Sequence, residues 1–149
     1  MKISTKGRYA LRMLYDIALH AKDDTVSLTE VAERQHISKK YLEQIVPMLT
    51  RAGILRAVRG NRGGYSLAKK ANVLSVGEVL RATEGNLAPV SCLEFEPNDC
   101  PMSNSCPTLF LWEGLFDAVK NYLDSITIQD IIDRSCGEAA ALPGNDCCT

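Results

Sequence analysis

The sequence has no long apolar run and few aromatic residues. Of its 149 residues only 6% are Phe, Tyr or Trp, with a single Trp. No stretch approaches the roughly 18 consecutive apolar residues that a membrane-spanning helix requires, and no apolar secretion-signal segment follows Met1. We therefore expect a cytoplasmic protein with no membrane span. With 46% hydrophobic residues, the chain still has enough apolar material to form a folded core.

The sequence also lacks the motifs of common enzyme classes. It contains no C-x-x-C pair beside a predicted strand, no H-E-x-x-H zinc signature and no glycine-rich phosphate loop. These absences argue against a thiol oxidoreductase or a metal hydrolase. We expect a binding protein and not an enzyme.

The net charge is only −1, but the charges are unevenly distributed. Residues 1–65 contain twelve Lys or Arg and six Asp or Glu, whereas residues 66–149 contain five and twelve. A basic half followed by an acidic half is typical of a nucleic-acid-binding part joined to a sensing or partner-facing part. A chance division of charge is the alternative.

Helix signals in the N-terminal half predict three helices in quick succession. They are expected at about residues 5–21 after the cap Ser4, at 28–35 after the capping box of Ser27 and Glu30, and from the cap Ser38 to about residue 52. Gly53 is expected to end the third helix. A hairpin follows, with strands at about 54–58 and 65–67 around a glycine-rich turn. Helices joined by a tight turn and followed by a hairpin predict a winged helix-turn-helix.

The third predicted helix has the two faces of a DNA recognition helix. At about 100° per residue, one side is apolar and the other basic or amide-bearing. The apolar side carries Leu42, Ile45, Val46 and Leu49, and the opposite side carries Lys40, Gln44 and Arg51. Pro47 falls towards the exposed side, where a kink costs less packing. A merely solvated polar face is the alternative.

The hairpin adds a second set of cations. Arg56, Arg59 and Arg62 lie on or beside its glycine-rich turn, which can approach phosphates or enter a minor groove. Combined with the recognition helix and the basic half of the chain, this wing predicts binding to double-stranded DNA.

The C-terminal half is predicted to hold a loop between helices. A helix is expected at about 76–83 after a capping box of Ser75 and Glu78, and a long one from Pro107 to about 124. The resulting division is a DNA-binding domain at 1–84, a cysteine-bearing loop at 85–106, a dimerisation helix with a short last helix (128–134) at 107–135, and a flexible tail at 136–149. The fold class is mainly α with a small β-hairpin.

The long helix is more apolar than a surface helix should be, which favours a homodimer built on it. Trp112 and Phe116 are the large side chains expected to anchor that interface. A two-fold dimer would also read two half-sites of DNA, which one winged helix alone would bind weakly. Packing of the helix against its own domain is the alternative.

Three of the six cysteines fall in the predicted loop with C-x7-C-x5-C spacing: Cys92, Cys100 and Cys106. Thiolates are the usual ligands of iron–sulfur clusters. Unliganded thiols, a zinc site and a regulatory disulfide are the alternatives, and zinc is disfavoured because no fourth Cys or His is near. Cys136 is expected to be a plain thiol after the last helix, and the Cys147-Cys148 pair to lie in the tail.

Three segments resemble the Rrf-type winged helix-turn-helix regulators. They are Met1-Lys2-Ile3-Ser4-Thr5-Lys6-Gly7-Arg8-Tyr9-Ala10-Leu11, Tyr41-Leu42-Glu43-Gln44, and Val58-Arg59-Gly60-Asn61-Arg62-Gly63-Gly64-Tyr65. The resemblance covers about residues 1–135 and implies a homodimer that binds promoter DNA. It points to Arg59 in the wing and to Tyr41 and Gln44 on the recognition helix. With the neighbouring polar positions, the expected DNA contacts are Ser38, Lys39, Lys40, Tyr41, Gln44, Arg59 and Arg62.

The same resemblance implies a cofactor. Cluster-binding members of the family carry three cysteines in this loop, which implies a 2Fe-2S or 4Fe-4S cluster on Cys92, Cys100 and Cys106. The family's cluster regulators have a His where this chain has Leu109, and its nitric-oxide sensors an Asp where it has Arg8. The cluster type and fourth ligand therefore stay open.

The resulting functional prediction is a regulator that senses iron–sulfur cluster status and controls genes of cluster assembly, iron or sulfur metabolism. The alternative is a cluster-free winged-helix repressor controlled by thiol redox or by a protein partner.

Overall fold

A computed structural model describes residues 2–21, 25–60 and 63–140 of the chain. Within those residues the fold is mainly helical with one small hairpin, as predicted. The elements in chain order are α1 (Thr5–His20), α2 (Leu28–Gln35), α3 (Lys39–Arg51), β1 (Leu55–Val58), β2 (Gly64–Leu67), α4 (Val76–Glu84), a 3-10 turn (Ser91–Leu93), α5 (Leu109–Ser125) and α6 (Ile128–Ala140). None of the helices in these residues is both long enough and apolar enough to span a bilayer.

Two of the predicted helix caps are confirmed in full. The Ser4 hydroxyl accepts a hydrogen bond from the Lys6 N–H at 3.1 Å, which satisfies one free donor at the start of α1. At the start of α2, the Ser27 hydroxyl accepts from the Glu30 N–H at 3.2 Å, and the Glu30 carboxylate accepts from the Ser27 N–H at 2.9 Å. The capping box thus fixes where α2 begins.

The other two predicted caps are wrong in part. Ser38 occupies the capping position of α3, but its side chain makes no capping hydrogen bond. Ser75 does accept from the Glu78 N–H at 3.1 Å. The second half of that box is missing because the Glu78 carboxylate pairs with Lys69 instead.

The end of α3 follows the sequence prediction closely. Gly53 has φ 68, and its N–H donates to the Thr50 carbonyl at 3.0 Å. The Ile54 N–H donates to the Leu49 carbonyl at 2.9 Å, which completes a Schellman motif with both of those apolar side chains buried. Pro47 lies inside α3 on its exposed side, as expected, and the helix continues past it.

The wing is an antiparallel pair with Leu55 opposite Leu67 and Val58 opposite Gly64. It is tied to the segment before α2 by two backbone hydrogen bonds between Val26 and Tyr65, of 3.0 and 2.8 Å. A side chain at position 64 would lie 2.7 Å from the Val26 carbonyl oxygen, so this approach requires glycine. The wing is thereby held against the helix-turn-helix.

One core joins the helix-turn-helix to the rest of the chain. It is built from apolar side chains of α1, α2, α3, β1 and α4, and it includes Ile128 at the start of α6. A smaller cluster of Val76, Leu80 and Leu87 packs against Phe116 and Leu123 of α5. Thus α6 is rooted in the main core, whereas α5 contacts its own chain chiefly through α4.

The boundaries of the last two helices differ from the prediction. α5 begins at Leu109 and not at Pro107, because residues 101–105 and 107–108 form turns. α6 continues to Ala140 and not to residue 134, so Cys136 lies within this helix and not after it. The predicted tail therefore starts too early. Cys147 and Cys148 lie outside the described residues.

Candidate DNA-binding surface and cysteine loop

The two faces predicted for α3 are present. Leu42, Ile45 and Leu49 are fully buried in the main core. The basic and amide side chains on the opposite side are exposed: Lys40, Gln44 and Arg51. A helix held by an apolar stripe and presenting donors outward can insert into a major groove without losing its own packing.

A groove between α2, α3 and the wing brings two of the predicted contacts together. Lys39 at the start of α3 and Arg59 just after β1 both line it. Ser38, Lys40 and Gln44 are exposed on α3 but do not line this groove. Arg62 lies outside the described residues.

The groove also contains residues that the sequence prediction missed. Thr29 in α2 and Glu43 in α3 line it beside Lys39 and Arg59. The sequence did carry a signal for Glu43, because residues four apart on a helix share a face and Glu43 is four residues after Lys39. Thr29 reaches the groove only because α2 packs beside the wing, and no short-range sequence pattern predicts that packing.

Tyr41, predicted to face DNA, is half-buried in the first turn of the recognition helix α3. Its ring lies edge-on to the ring of Tyr9 in α1, with centroids 5.4 Å apart and planes at 78°. Only part of the Tyr41 side chain is therefore free to reach a ligand.

The three loop cysteines are free thiols, each half-exposed. Cys92 lies in the 3-10 turn, and Cys100 and Cys106 lie in the turns that precede α5. The loop has local hydrogen bonds of its own: the Asn86 side-chain amide donates to the Glu94 carbonyl at 2.6 Å, and the Cys100 N–H donates to the Asn98 side chain at 3.0 Å. These local hydrogen bonds stabilise the conformation of the loop.

Cys106 stands closest to the start of α5, although two residues further from it than predicted. Its sulfur lies 3.5 Å from the Thr108 hydroxyl. That hydroxyl, followed by the N–H of Thr108, lowers the pKa of the Cys106 thiol from its ordinary value. The positive end of a helix dipole favours an anion in the same direction.

The donor chemistry of the loop fits an iron–sulfur cluster, but its conformation does not present the donors together. Thiolate sulfurs are what cluster irons bind, and the loop supplies three. Among the described residues, however, no three Cys, His, Asp or Glu side chains converge into a metal-binding group. Holding a cluster would therefore require Cys92, Cys100 and Cys106 to move towards one another.

The apolar surface of α5 divides into two stripes. Trp112, Phe116, Val119 and Leu123 are half-buried, and Phe116 and Leu123 pack on the cluster under α4. The second stripe is exposed, and each of its residues precedes a half-buried one by a single position. It includes Leu111 (51% exposed), Leu115 (42%) and Tyr122 (65%). Phe116, predicted together with Trp112 to anchor a dimer, is half-buried and packs in part against its own chain, so its role in a dimer stays a prediction. No residue of α5 is fully buried.

Comparison with known proteins decides the family. The model of the Rrf2 family, described as an iron-dependent transcriptional regulator, matches residues 3–134. The chain belongs to the Rrf2 family. It is similar to the protein rrf2 of Nitratidesulfovibrio vulgaris, with 40% identity over 147 residues, covering 99% of this chain and 95% of the relative.

Solved structures agree with this assignment. CymR of B. subtilis, described as the global cysteine regulator, superimposes with a TM-score of 0.72 at 37% identity, covering 88% of this chain and 95% of that one. IscR of T. potens superimposes with a TM-score of 0.70 at 34% identity, covering 97% and 94%. The predicted winged-helix fold and Rrf-type resemblance are confirmed. This Rrf2 protein is a DNA-binding transcription regulator and not an enzyme.

Proposed function

We propose that this Rrf2 protein is a homodimeric promoter-binding regulator that reports iron–sulfur cluster status through its three-cysteine loop. Its target genes would be those of cluster assembly, iron or sulfur metabolism. One observation carries the proposal: three free, half-exposed thiols lie in the loop that joins α4 of the DNA-binding core to the exposed apolar helix α5. A regulator of promoters acts where the chromosome is, so we place it in the cytoplasm.

For the DNA contacts we propose that α3 enters the major groove and the wing contacts the adjacent backbone or minor groove. The residues assigned are Ser38, Lys39, Lys40, Tyr41, Gln44, Arg59 and Arg62. Support comes from the exposure of the polar side chains on α3 and from the groove that Lys39 shares with Arg59. The base-reading positions are Gln44 and Arg59, and the lysines contact phosphates.

For the dimer we propose that the exposed stripe of α5 packs against the same stripe of a second copy. Leu111, Leu115 and Tyr122 are too apolar and too exposed for an isolated surface helix. Isologous pairing places two recognition helices on one side of the DNA, so that the dimer reads a two-fold operator.

For the cofactor we propose that Cys92, Cys100 and Cys106 hold a 2Fe-2S or 4Fe-4S cluster. Bound there, such a cluster supplies a redox-active centre with negative charge. The contribution of the chain is to bring three sulfurs together near the start of α5, where the positive end of the helix dipole favours an anion. Because Glu84 ends α4 and the loop starts at Gly85, closure of the loop changes the connection between the DNA-binding core and α5.

The test is anaerobic purification followed by an absorption spectrum and iron and sulfide analysis. We expect a brown protein, and loss of the visible absorption when Cys92, Cys100 or Cys106 is changed singly to Ala. Cys136→Ala is the matched control, because this half-exposed thiol lies in α6 and outside the loop. A colourless wild-type protein, or a cluster that survives all three loop substitutions, would rule out the site.

A second function is favoured by the likeness to the cysteine regulator CymR. In that case the loop thiols act without a metal: two are oxidised to a disulfide while a peroxide is reduced to water and takes up the released protons. We then expect a colourless protein whose affinity for operator DNA changes on oxidation and returns with dithiothreitol. This second function is excluded if the purified protein is brown and if, once its cluster has been removed, oxidation and dithiothreitol leave its affinity for operator DNA unchanged.

A further inference from the structure

One face of α1 is turned towards the helix-turn-helix and makes polar contacts there. Tyr9, Arg12 and Asp16 follow one another at helical spacing of three and four residues, so they share this face. Asp16 is fully buried, and its carboxylate accepts hydrogen bonds from the Arg34 guanidinium at 2.7 to 3.1 Å and from the Gln35 amide at 3.0 Å. The hydrogen bonds of Asp16 raise the pKa of Arg34. The last turn of α2 is thereby fixed to α1.

Arg12 continues this network towards the turn between α2 and α3. Its Nε donates to the Gln35 side-chain oxygen at 3.1 Å, and its Nη2 donates to the Gln35 carbonyl. Gln35 ends α2, and His36 after it has φ 52, in the left-handed region that a non-glycine residue enters at a cost. Arg12 therefore bonds the carbonyl immediately before the strained residue of the turn.

Tyr9 carries the contact from α1 to the recognition helix. The Arg12 guanidinium lies over the Tyr9 ring at 5.7 Å, and the edge-to-face pair with Tyr41 lies in the first turn of α3. A continuous series of contacts therefore links the buried Asp16 to the recognition helix. It passes through the end of α2, Arg12 and the Tyr9 ring to the Tyr41 ring in the first turn of α3.

We propose that Tyr9 and Arg12 are positioning residues that hold the turn and the first residues of α3 in the orientation that DNA requires. The inference rests on the proposed DNA contacts of α3. An ordered recognition helix binds more tightly because DNA does not have to order it. Arg12 is exposed and adds little to the core. Its two hydrogen bonds to Gln35 therefore act mainly by orienting the turn between α2 and α3.

A competing explanation is that the cation of Arg12 itself contacts a phosphate. Arg12→Lys separates the two explanations, because lysine keeps the charge but loses the planar fork that reaches both Gln35 oxygens. Arg8→Lys is the matched control: Arg8 is also exposed on α1, and the hydrogen bond of its guanidinium is to Thr5 of the same helix. For Tyr9 the disruptive change is Leu, and Phe, which keeps the ring, is its control.

The experiment measures affinity for the DNA sequence that the wild-type protein selects from a random library, and for a non-specific duplex. We expect Tyr9→Leu and Arg12→Lys to weaken the selected sequence about twofold to tenfold, the range that loss of one aromatic or cation–π pair can produce. Tyr9→Phe and Arg8→Lys should stay within about twofold of the wild type. Non-specific affinity and its salt slope should not change, because the phosphate-binding charges are retained.

Hydrogen exchange of the free protein gives a readout that does not depend on DNA. In both disruptive variants we expect faster exchange at residues 36–42 and unchanged exchange in α4, whereas general destabilisation would speed both. Unchanged exchange at 36–42, or wild-type affinity in both disruptive variants, overturns the inference. If the wild type selects no sequence, the proposed function fails, and the exchange result still decides whether Tyr9 and Arg12 order the turn.

Discussion

The Gly7 N–H in the first turn of α1 donates to the carboxylate of Glu84, the last residue of α4, at 2.9 Å. The same oxygen accepts from the Ser4 hydroxyl at 2.7 Å. A carboxylate supplied by a distant helix therefore satisfies donors that α1 leaves free at its start. Glycine makes this approach possible, because a Cβ at position 7 would overlap this oxygen and lie 3.0 Å from Leu80 Cδ2, so that both side chains would have to shift.

We predict that Gly7→Ala destabilises the protein by about 1–3 kcal/mol by displacing Glu84 from its hydrogen bonds. In a Glu84→Ala background the clash with the carboxylate is gone and only the contact with Leu80 Cδ2 remains. The better helix propensity of Ala, worth up to about 1 kcal/mol, offsets that contact, so the same change should cost clearly less than in the wild type. Urea unfolding of the four proteins in this double-mutant cycle measures the coupling. Additive effects would show that the two residues do not interact.

The second prediction concerns pH and the capping box at α2. The Ser27 hydroxyl, followed by the Ser27 N–H, lowers the pKa of Glu30 from its ordinary value of 4.5. A depressed folded-state pKa stabilises the fold above pH 4.5, and that contribution is lost as the pH falls through the folded value. Glu30→Gln should therefore destabilise the protein at neutral pH but not in acid.

The check is the unfolding free energy of the wild type, Glu30→Gln and the control Glu33→Gln as the pH is lowered from neutral. Ser27→Ala should cost about 1 kcal/mol at neutral pH, as loss of a helix cap usually does. A Glu30→Gln effect that persists unchanged in acid would contradict the ionic role of this carboxylate.

The helix-turn-helix was predictable because its signals are local. Ser27 with Glu30 marks the start of α2, Gly53 marks the end of α3, and the apolar spacing of α3 identifies its buried face. Each of these depends on residues within one or two helical turns, where backbone hydrogen bonding dictates the choice of residue. The fold and the exposed polar face of α3 could therefore be predicted from the sequence alone.

What could not be derived depends on contacts between distant parts of the chain. Glu84 reaches Gly7 across 77 residues, and no periodicity encodes that bond. The apolar arc of α5 is wide, and its composition does not tell which half packs on its own chain, as Phe116 and Leu123 do. Likewise, spacing alone could not show that the loop does not bring its three cysteines into one metal-binding group.

The third prediction tests the proposed dimer on the exposed apolar stripe of α5. Leu115→Glu places a charge in the exposed apolar stripe, which would be buried on pairing, so it should shift the protein to a folded monomer. Lys120→Gln changes the net charge by the same amount at an exposed position of α5 outside that stripe and should leave the dimer intact. Sedimentation shows the mass and circular dichroism the fold. A dimeric Leu115→Glu protein would place the interface elsewhere.

The final prediction separates base reading from phosphate contact on the DNA-binding surface. Arg59→Ala and Gln44→Ala each remove a side chain that can donate to base edges, so each should weaken the selected operator by about 1–3 kcal/mol and change the preferred bases. Lys39→Ala removes one phosphate-neutralising charge. It should weaken all duplexes alike and reduce the salt slope by about one.

Salt titrations on selected and scrambled duplexes distinguish the two roles. Lys39 and Arg59 line the same groove, so comparing them gives the most stringent test. Both are cations, but loss of Arg59 is predicted to change base preference, whereas loss of Lys39 is predicted to lower the salt slope. Arg51→Ala is the control, because that residue is exposed at the far end of α3, away from the groove. If Arg59→Ala lowers affinity equally for both duplexes and keeps the base preference, the wing binds phosphates only. Sequence reading would then fall to α3 alone.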